Sequence, residues 1–410
     1  MKKLICVLSL AMAMFCSSDV FAKSEIVSSF YFGNKVQDIA VDGSGMIYAT
    51  TTNADPAWNG DFFKLQFIGD QLQKVSSLRG NGYQAWDAFS KMTVLNGYGF
   101  VLTSYYSSPG AVVNLSSMTA LFNGIDWQLK NAKSIANDGI GIFIGGGSET
   151  VSPYLRTYLP LPSSGELSFM GSRSLDATPE RSFSQMDKKY LFLAMSTAGI
   201  GIWDTTNTGE PYKLGQSRKE FYSADGYITF SKAIDMVAEG QYVYALAGDA
   251  TGWRGVLAII NLTDPSYVQT WFSLAKQASA MDLECGLLFM KKSGSRIYIA
   301  TKTKILVVDV SIVTAPRLVE TIAIIANAME VVGDKLLVAD GYHVKVVKLI
   351  DPIAGDVNAD NKVDLSDAIL SLQVTAGKSV SVDVSGDVNG DKKIGIAEVV
   401  HALQKTAGLR

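Results

Sequence analysis

The chain of 410 residues is long enough for one large domain and a smaller second one. A hydrophobic fraction of 48% and a charged fraction of 18% indicate a folded protein, and the net charge of -3 offers no basic surface for nucleic acid. Three cysteines and two histidines exclude a disulfide framework, a thiolate zinc site and a histidine-rich metal centre, and they disfavour a Ser–His–acid triad.

The first 22 residues have the parts of an export signal. Two lysines precede an apolar run over residues 4–15, which is too short to span a bilayer. Val20 and Ala22 are the small residues expected just before a cleavage site. We therefore predict a signal peptide over residues 1–22 and an exported protein, either extracellular, at the cell surface or in the periplasm. No later stretch is long and uncharged enough to predict a membrane span.

The body of the chain, residues 23–350, consists of short apolar runs separated by Gly, Asn, Asp, Ser and Thr, which predict strands and turns. One β-rich run that ends in a small residue recurs seven times at a mean step of about 48 residues, within the range of propeller blades. The seven runs are residues 46–49, 100–103, 142–145, 191–194, 243–245, 297–300 and 336–339. Most are followed by a second strand that ends in Asp or Asn, so each unit predicts a blade of three or four strands.

This repeat predicts an all-β propeller of about seven blades. The alternatives are a β-sandwich or two stacked barrels, which do not repeat at a fixed step. The Leu-Val-Val-Asp-Val strand at residues 306–310 resembles bacterial propeller repeats of the LVIVD kind, and residues 38–48 resemble an NHL-type blade. The last unit has only three strands, whereas residues 25–32 form a strand without a unit of their own. We expect this first strand to complete the last blade and close the ring.

The tail, residues 351–410, contains two copies of an acidic loop, each followed by an apolar-periodic helix, at an offset of 31 residues. Calcium prefers six to eight oxygen ligands, which a 12-residue loop supplies from positions 1, 3, 5, 7, 9 and 12. The predicted ligands are Asp356, Asn358, Asp360, the Lys362 carbonyl, Asp364 and Asp367 in the first loop, and Asp387, Asn389, Asp391, the Lys393 carbonyl and Glu398 in the second. The alternative is a pair of solvated Asp/Asn turns without an ion.

Both loops depart from the usual calcium pattern at one or two positions. Position 6 is Asn361 in one loop and Lys392 in the other, where glycine is expected, and Asp367 is shorter than the usual glutamate. We therefore predict affinities of about 0.1–1 mM, as in extracellular calcium modules.

Residues 355–410 resemble a type I dockerin, in which two calcium loops each precede a helix. The resemblance implies a small α-helical calcium-binding domain that docks on a cohesin. The Ser-Thr pair that often carries this recognition is replaced by Leu365-Ser366 and Ile396-Ala397. Three roles for the tail therefore stay open: binding a different, cohesin-like protein, self-association, or a calcium-dependent cap that only stabilises the fold.

The body has no catalytic motif, but three acidic residues lie near the starts of inner strands. Asp38, Asp235 and Glu330 could converge in the central channel on a cation or a sugar, or could hydrogen-bond the backbone there. Five aromatic residues in long loops suit either sugar stacking or packing between blades. They are Trp58, Tyr105, Tyr106, Tyr154 and Trp253. We interpret His343, His401 and the unpaired Cys285 as structural.

Two classes of function follow from these patterns. The favoured one is a non-enzymatic protein whose propeller binds a protein or glycan while the calcium-binding tail assembles or anchors it. The alternative is a polysaccharide-degrading enzyme, a glycosidase or lyase, which requires two carboxylates placed across the channel.

Overall fold

The computed structural model describes most of the chain after residue 23. The described residues are 24–52, 60–79, 89–103, 110–121, 132–147, 151–161, 166–179, 183–186, 190–207, 210–215, 217–249, 254–262, 276–284, 286–349, 353–358, 360, 362–380, 382, 386–389, 391 and 393–409. The predicted signal peptide and Cys285 lie outside these residues. The chain divides into two compact units, one containing Ile26–Lys348 and the other containing Leu349–Arg410.

The larger unit begins within strand β1 (Glu25–Tyr31), which is followed by three four-stranded antiparallel sheets in chain order. Blade 1 comprises β2 (Lys35–Val41), β3 (Ile47–Thr52), β4 (Asp61–Ile68) and β5 (Gln71–Arg79). Blade 2 comprises β6 (Phe89–Leu95), β7 (Tyr98–Thr103), β8 (Gly110–Asn114) and β9 (Thr119–Leu121). Blade 3 comprises β10 (Ala132–Asn137), β11 (Ile142–Gly146), β12 (Tyr154–Pro160) and β13 (Leu167–Ser174).

The next two blades flank a small extra hairpin. Blade 4 comprises β14 (Phe183–Met186), β15 (Tyr190–Ala194), β16 (Ile200–Asp204) and β17 (Tyr212–Lys213). The hairpin comprises β18 (Phe221–Tyr222) and β19 (Thr229–Phe230). Blade 5 comprises β20 (Lys232–Glu239), β21 (Tyr242–Gly248), β22 (Gly255–Asn261) and β23 (Gln277–Leu283).

The ring is completed by two further blades, of which the last takes its outer strand from the start of the chain. Blade 6 comprises β24 (Leu287–Ser293), β25 (Arg296–Thr301), β26 (Ile305–Asp309) and β27 (Arg317–Ile322). Blade 7 comprises β28 (Ala328–Val332), β29 (Lys335–Asp340) and β30 (His343–Lys348), and β1 pairs with β30 as its fourth strand. The predicted closure by the first strand is therefore confirmed.

The described residues thus form a propeller of seven four-stranded blades, as the repeat predicts. Six of the seven recurring runs lie within the second strand of their blade, and the first run begins one residue before β3. Inner strands of successive blades contact one another around the ring, and β28 contacts β2 where the ring closes.

The second strands are buried on both faces because each blade packs between two neighbours. All six residues of β25 are buried, as are the first five of β3. A strand enclosed on both sides carries a continuous apolar run and not an alternating one, which explains why these runs were the clearest repeat in the sequence.

The smaller unit contains two short helices that contact each other, α1 (Leu365–Thr375) and α2 (Ile396–Thr406). Its apolar core consists of a few small or medium side chains. They are Val357, Ala368, Ile394, Val399 and Ala402. The two acidic loops approach each other where the Gly355 amide donates to the Gly386 carbonyl at 2.8 Å. Within the described parts of the chain, neither helix has the length and hydrophobicity to cross a bilayer.

Candidate functional site

The central channel of the propeller is a polar cavity of about 570 Å³. Inner strands of six blades line it, and its charged side chains are Asp38, Lys91, Asp235, Lys291 and Glu330. The prediction that the three acidic residues converge on the channel is therefore confirmed. The sequence analysis missed the two lysines that lie among them.

A β-bulge shapes the inner strand at the same place in five blades. The pairing with the second strand skips one residue there, between Val36 and Asp38, Phe89 and Lys91, Ala132 and Ser134, Ala233 and Asp235, and Leu287 and Phe289. A bulge redirects the side chains next to it. Asp38 and Asp235 are thus equivalent by register, and both follow the skipped residue.

The two equivalent aspartates join neighbouring blades. Asp38 Oδ2 accepts a hydrogen bond from the Met92 amide at 2.9 Å, and Asp235 Oδ2 accepts one from the Met290 amide at 2.8 Å. In each case the amide belongs to the inner strand of the next blade. Asp235 Oδ1 also accepts from its neighbour, the Met236 amide, at 2.8 Å. Both carboxylates therefore hold inner strands together.

Blade 3 places a hydroxyl at the equivalent position. Ser134 is fully buried, and its Oγ donates to the Pro179 carbonyl, just before blade 4, at 2.8 Å. The residue after the bulge thus connects one blade to the next in three places around the ring. This repeated geometry indicates a structural role, since a catalytic group would be needed at one position only.

Glu330 lies two residues further along its strand than the two aspartates. Glu330 pairs with Leu337 of the second strand in blade 7, and Lys291 pairs with Tyr298 of the second strand in blade 6. Glu330 and Lys291 therefore occupy equivalent positions in adjacent blades. Their side chains form an ion pair, with 2.7 Å between Lys291 Nζ and Glu330 Oε2.

The charges in the channel compensate one another. Burial disfavours the charged form of Lys291, but Glu330, Asp38 and Asp235 outweigh this effect and raise the pKa of Lys291 above its ordinary value. Lys91 Nζ lies 3.2 Å from Asp38 Oδ1. Each of the two lysines thus lies beside an acidic partner, and the three described channel carboxylates all contact groups of the chain itself.

Most of the predicted aromatic surface lies outside the described residues, namely Trp58, Tyr105, Tyr106 and Trp253. Tyr154 is described and is buried, with the Arg156 guanidinium 4.9 Å from its ring centroid. Burial raises the pKa of the Tyr154 hydroxyl. Sugar stacking was the wrong alternative for Tyr154, because its ring packs inside the propeller. His343 contacts Tyr31 of β1 at 5.1 Å between ring centroids, which agrees with a structural role.

In the first acidic loop, the carboxylate at position 12 ties the loop to its helix. Asp367 is fully buried, and its Oδ1 accepts from the amides of Val357 and Asn358 at 2.7 and 3.0 Å. Its Oδ2 accepts from the Asp364 amide at 2.9 Å, at the start of α1. The shorter side chain of aspartate is thus long enough to reach both ends of the loop.

The second loop repeats this network with a longer side chain. Glu398 is buried, and its Oε1 accepts from the Val388 amide at 3.0 Å while its Oε2 accepts from the Gly395 amide at 2.6 Å. Asp391 Oδ1 accepts from the Lys393 amide at 2.9 Å, as its equivalent in the first loop does from the Lys362 amide. The two loops are therefore copies in geometry as well as in sequence.

The donor set of each loop fits calcium in its chemistry, because it consists of carboxylate, amide and carbonyl oxygens. Among the residues that the structure describes, no three His, Cys, Asp or Glu side chains lie together as a metal-holding group. The predicted sets rely in part on asparagine side chains and backbone carbonyls. Asn361 and Lys392, where the usual glycine is missing, lie outside the described residues. Calcium binding stays a prediction.

The two helices of the tail expose matching apolar side chains. Each contributes three residues at spacing i, i+4 and i+7, and each side chain is 45–56% exposed. They are Leu365, Ile369 and Leu372 on α1 and Ile396, Val400 and Leu403 on α2. We call these sets the α1 face and the α2 face. The sequence analysis did not identify either face, although the 31-residue offset relates them.

The comparisons with known proteins identify the class of fold. No protein-family model matches the chain, and no curated protein matches it. Solved structures do: "Structure of U3-55K" has a TM-score of 0.57 at 9% identity, covering 80% of this chain and 100% of that one. "Crystal structure of RRP9 WD40 repeats" has a TM-score of 0.56 at 7% identity, with the same coverage.

A third similar structure, Sqt1 of Saccharomyces cerevisiae, has a TM-score of 0.54 at 8% identity and covers 80% of this chain and 99% of that one. Identities this low show the fold alone. The protein is a seven-bladed β-propeller followed by a unit with two short helices. The resemblances to LVIVD, NHL and dockerin repeats stay predictions.

Proposed function

We propose that the chain is an exported, calcium-binding assembly protein. Its propeller is a platform that binds a protein or glycan, and its dockerin-like tail attaches it to a cohesin-like partner. The observation that carries this proposal is the pair of matching apolar faces on α1 and α2. Exposed apolar side chains repeated at equivalent positions of two helices are suited to recognition of a partner surface.

The loops supply a reason for the helices to depend on calcium. Asp367 and Glu398 both hold the start of a loop and the start of a helix. In the first loop the ion would be held by Asp356, Asn358, Asp360, the Lys362 carbonyl, Asp364 and Asp367. In the second it would be held by Asp387, Asn389, Asp391, the Lys393 carbonyl and Glu398. Calcium would neutralise the crowded carboxylates of each loop and fix the direction of the helix that follows.

The channel geometry supports a binding role for the propeller over a catalytic one. Asp38 and Asp235 accept hydrogen bonds from backbone amides of the next blade, and Glu330 is paired with Lys291. A glycosidase needs one acid that can donate a proton and a second that can attack or activate water. The three described channel acids already serve structural contacts.

A calcium titration combined with a binding assay tests the proposal on the full chain. After treatment with chelator, calorimetry should detect two calcium sites with affinities of about 0.1–1 mM. Immobilised cohesin domains of several types should capture the protein with calcium and release it with chelator. Sedimentation velocity on the same samples tests self-association, and a calcium-dependent dimer without capture would replace the cohesin-like partner by a second copy.

Substitutions on the two faces identify the docking surface. We expect Leu372→Asp and Leu403→Asp together to abolish capture, because a charge on each face opposes burial against the partner. Gln373→Asp combined with Gln404→Asp adds the same two charges beside the two faces and is the matched control. Calcium binding without any capture or dimer formation would overturn the assembly function and leave a stabilising cap.

A further inference from the structure

A second cavity of about 370 Å³ lies between blades 5 and 6, where their inner strands begin. Three cationic side chains line it from three different segments. Lys232 starts β20, Arg254 precedes β22, and Lys302 follows β25. Asp249 is the one acidic residue among the described lining residues. We call this cavity the basic pocket.

The cations of the basic pocket differ from seven other lysines of the propeller. Lys91, Lys213, Lys291, Lys292, Lys304, Lys335 and Lys345 each form an ion pair with a carboxylate. Across the described residues, none of Lys232, Arg254 and Lys302 has an ion pair or a side-chain hydrogen bond. Three positive charges gathered in a concave site with one carboxylate, that of Asp249, leave a net positive charge that attracts an anion.

The rest of the pocket wall is apolar, and the bulges of two blades supply it. Ile234 and Leu288 are the skipped residues of the bulges in β20 and β24, and both line the pocket together with Leu287. The paired glycines Gly248 and Gly255 leave room for these side chains. A Cβ at Gly255 would lie 2.1 Å from Leu287 Cδ1, and one at Gly248 would lie 3.1 Å from Ile234 Cδ1.

We propose that the basic pocket binds a small organic oxyanion, a compound in which a carboxylate or phosphate group is attached to an apolar body. Arg254 and Lys302 are exposed and can turn toward the oxyanion, while Lys232 contacts it from the inner strand. The apolar body lies against Ile234 and Leu288. Guanidinium and ammonium groups are the usual partners of both oxyanions. This site is independent of the tail and goes beyond the proposed assembly function.

Calorimetry on the full chain in calcium-free buffer tests the pocket with three probes: inorganic phosphate, phenyl phosphate and benzoate. We expect phenyl phosphate to bind more tightly than inorganic phosphate, because only the former places an apolar ring on the pocket wall. The ratio between phenyl phosphate and benzoate identifies which oxyanion the pocket prefers. Added NaCl should weaken all three interactions by screening the cations.

Substitutions distinguish the pocket from general attraction to a charged surface. Arg254→Gln and Lys302→Gln should each weaken phenyl phosphate binding about tenfold, as for the loss of one charge-assisted hydrogen bond at an exposed site. Leu288→Ser should weaken phenyl phosphate but not inorganic phosphate. Lys133→Gln, at an exposed lysine outside the pocket, is the matched control and should leave binding unchanged.

Three results would overturn the proposal. One is the absence of saturable binding of any probe. Another is unchanged binding in the Arg254→Gln, Lys302→Gln double variant. The third is an equal loss of binding in Lys133→Gln. Because Arg254 and Lys302 are exposed, these variants should fold, and circular dichroism verifies this before titration. None of these results depends on calcium, so they leave the role of the tail unaffected.

Discussion

The propeller and the tail are stabilised by different chemistry. The propeller buries continuous apolar runs between blades, such as residues 297–300 of β25. Among its described residues, the tail buries five apolar side chains and, beside them, three acidic ones. The acidic residues are Asp356, Asp367 and Glu398. A large apolar core tolerates the loss of one polar contact, whereas a small unit with buried carboxylates depends on whatever compensates their charge.

The two regions also compensate their carboxylates differently. In the channel, lysines lie beside the acids, as in the pair of Lys291 and Glu330. In the tail loops, Asp367 and Glu398 accept hydrogen bonds from backbone amides. Amide contacts satisfy the oxygens but do not neutralise the charge. We therefore expect the tail, unlike the propeller, to need an external cation.

Removal of calcium should have the largest effect, and only in the tail. With chelator, we expect the helices α1 and α2 to unfold, because the loop carboxylates then repel one another. Hydrogen exchange of residues 365–375 and 396–406 should become fast, while the strands of the propeller keep their protection. Equal protection of both helices with and without calcium would contradict this difference between the two regions.

The next largest difference between the two units should be the loss of stability when one glycine in each is replaced by alanine. Gly199 has φ +79°, and a Cβ there would lie 1.9 Å from the Arg218 carbonyl oxygen, so Gly199→Ala should cost about 3–5 kcal/mol. Gly355 has φ +91°, but the nearest atom to a Cβ added there belongs to the His401 side chain, at 2.5 Å. Since a side chain can move, Gly355→Ala should cost only about 1–2 kcal/mol. Urea unfolding of the calcium-loaded variants measures both values.

Alanine substitution of the two equivalent channel aspartates should lower the free energy of unfolding by different amounts. Asp235→Ala leaves the amides of Met236 and Met290 without their acceptor in a buried place and should cost about 2–4 kcal/mol. Asp38→Ala affects one amide at a more exposed position and should cost about 1–2 kcal/mol. Urea midpoints give both values, with Asp235→Asn as a control that keeps one acceptor oxygen. Equal costs would show that burial does not determine the strength of these contacts.

The smallest expected effect is a gain in stability at Asp61. Its Oδ2 accepts from Asn34 Nδ2 at 3.2 Å, whereas its buried Oδ1 has no hydrogen-bond partner in the described structure. Burial raises the pKa of the Asp61 carboxyl, although Asn34, Arg79 and Lys74 act to lower it. Ionised Asp61 therefore destabilises the fold at neutral pH, and Asp61→Asn should raise the urea midpoint slightly, since solvent screens part of the effect at this half-buried position.

The pH dependence of this effect has a defined sign. Because the folded-state pKa of Asp61 lies above the unfolded value of 3.8, the folded chain binds the proton more tightly. Stability should thus fall as the pH rises from 3.8 through the raised folded value. Unfolding of Asp61→Asn should lack this part of the slope, and identical slopes in the two proteins would refute the assignment.

The repeat in the sequence predicted the blades well, because strands enclosed on both faces carry continuous apolar runs at a regular step. It also predicted that β1 closes the ring, since one blade was a strand short. The hairpin of β18 and β19 was not predicted, because its strands have only two residues each. A segment this short has no periodicity to detect.

The sequence predicted the tail residues better than the channel contacts, because only the tail residues follow a local spacing. The spacing of the tail acids follows a local loop, so Asp367 and Glu398 could be identified as the residues that end each loop. The lysine partners in the channel could not, because Lys291 and Glu330 are far apart in the sequence and meet only when blades 6 and 7 pack. The bulges were equally hidden, since a skipped residue is visible only once two strands are paired.

Closure of the ring by β1 has a consequence for the order of folding. The first described strand pairs with β30, about 300 residues later, and Phe32 donates to the Tyr342 carbonyl at 3.0 Å. During synthesis from the N-terminus, β1 has no partner strand until nearly the whole propeller has been made. Such a distant contact carries a high loop-closure entropy and slows folding. The final docking of β1 should therefore be a late step, and deletion of β1 should leave blade 7 with an open edge that associates with other chains.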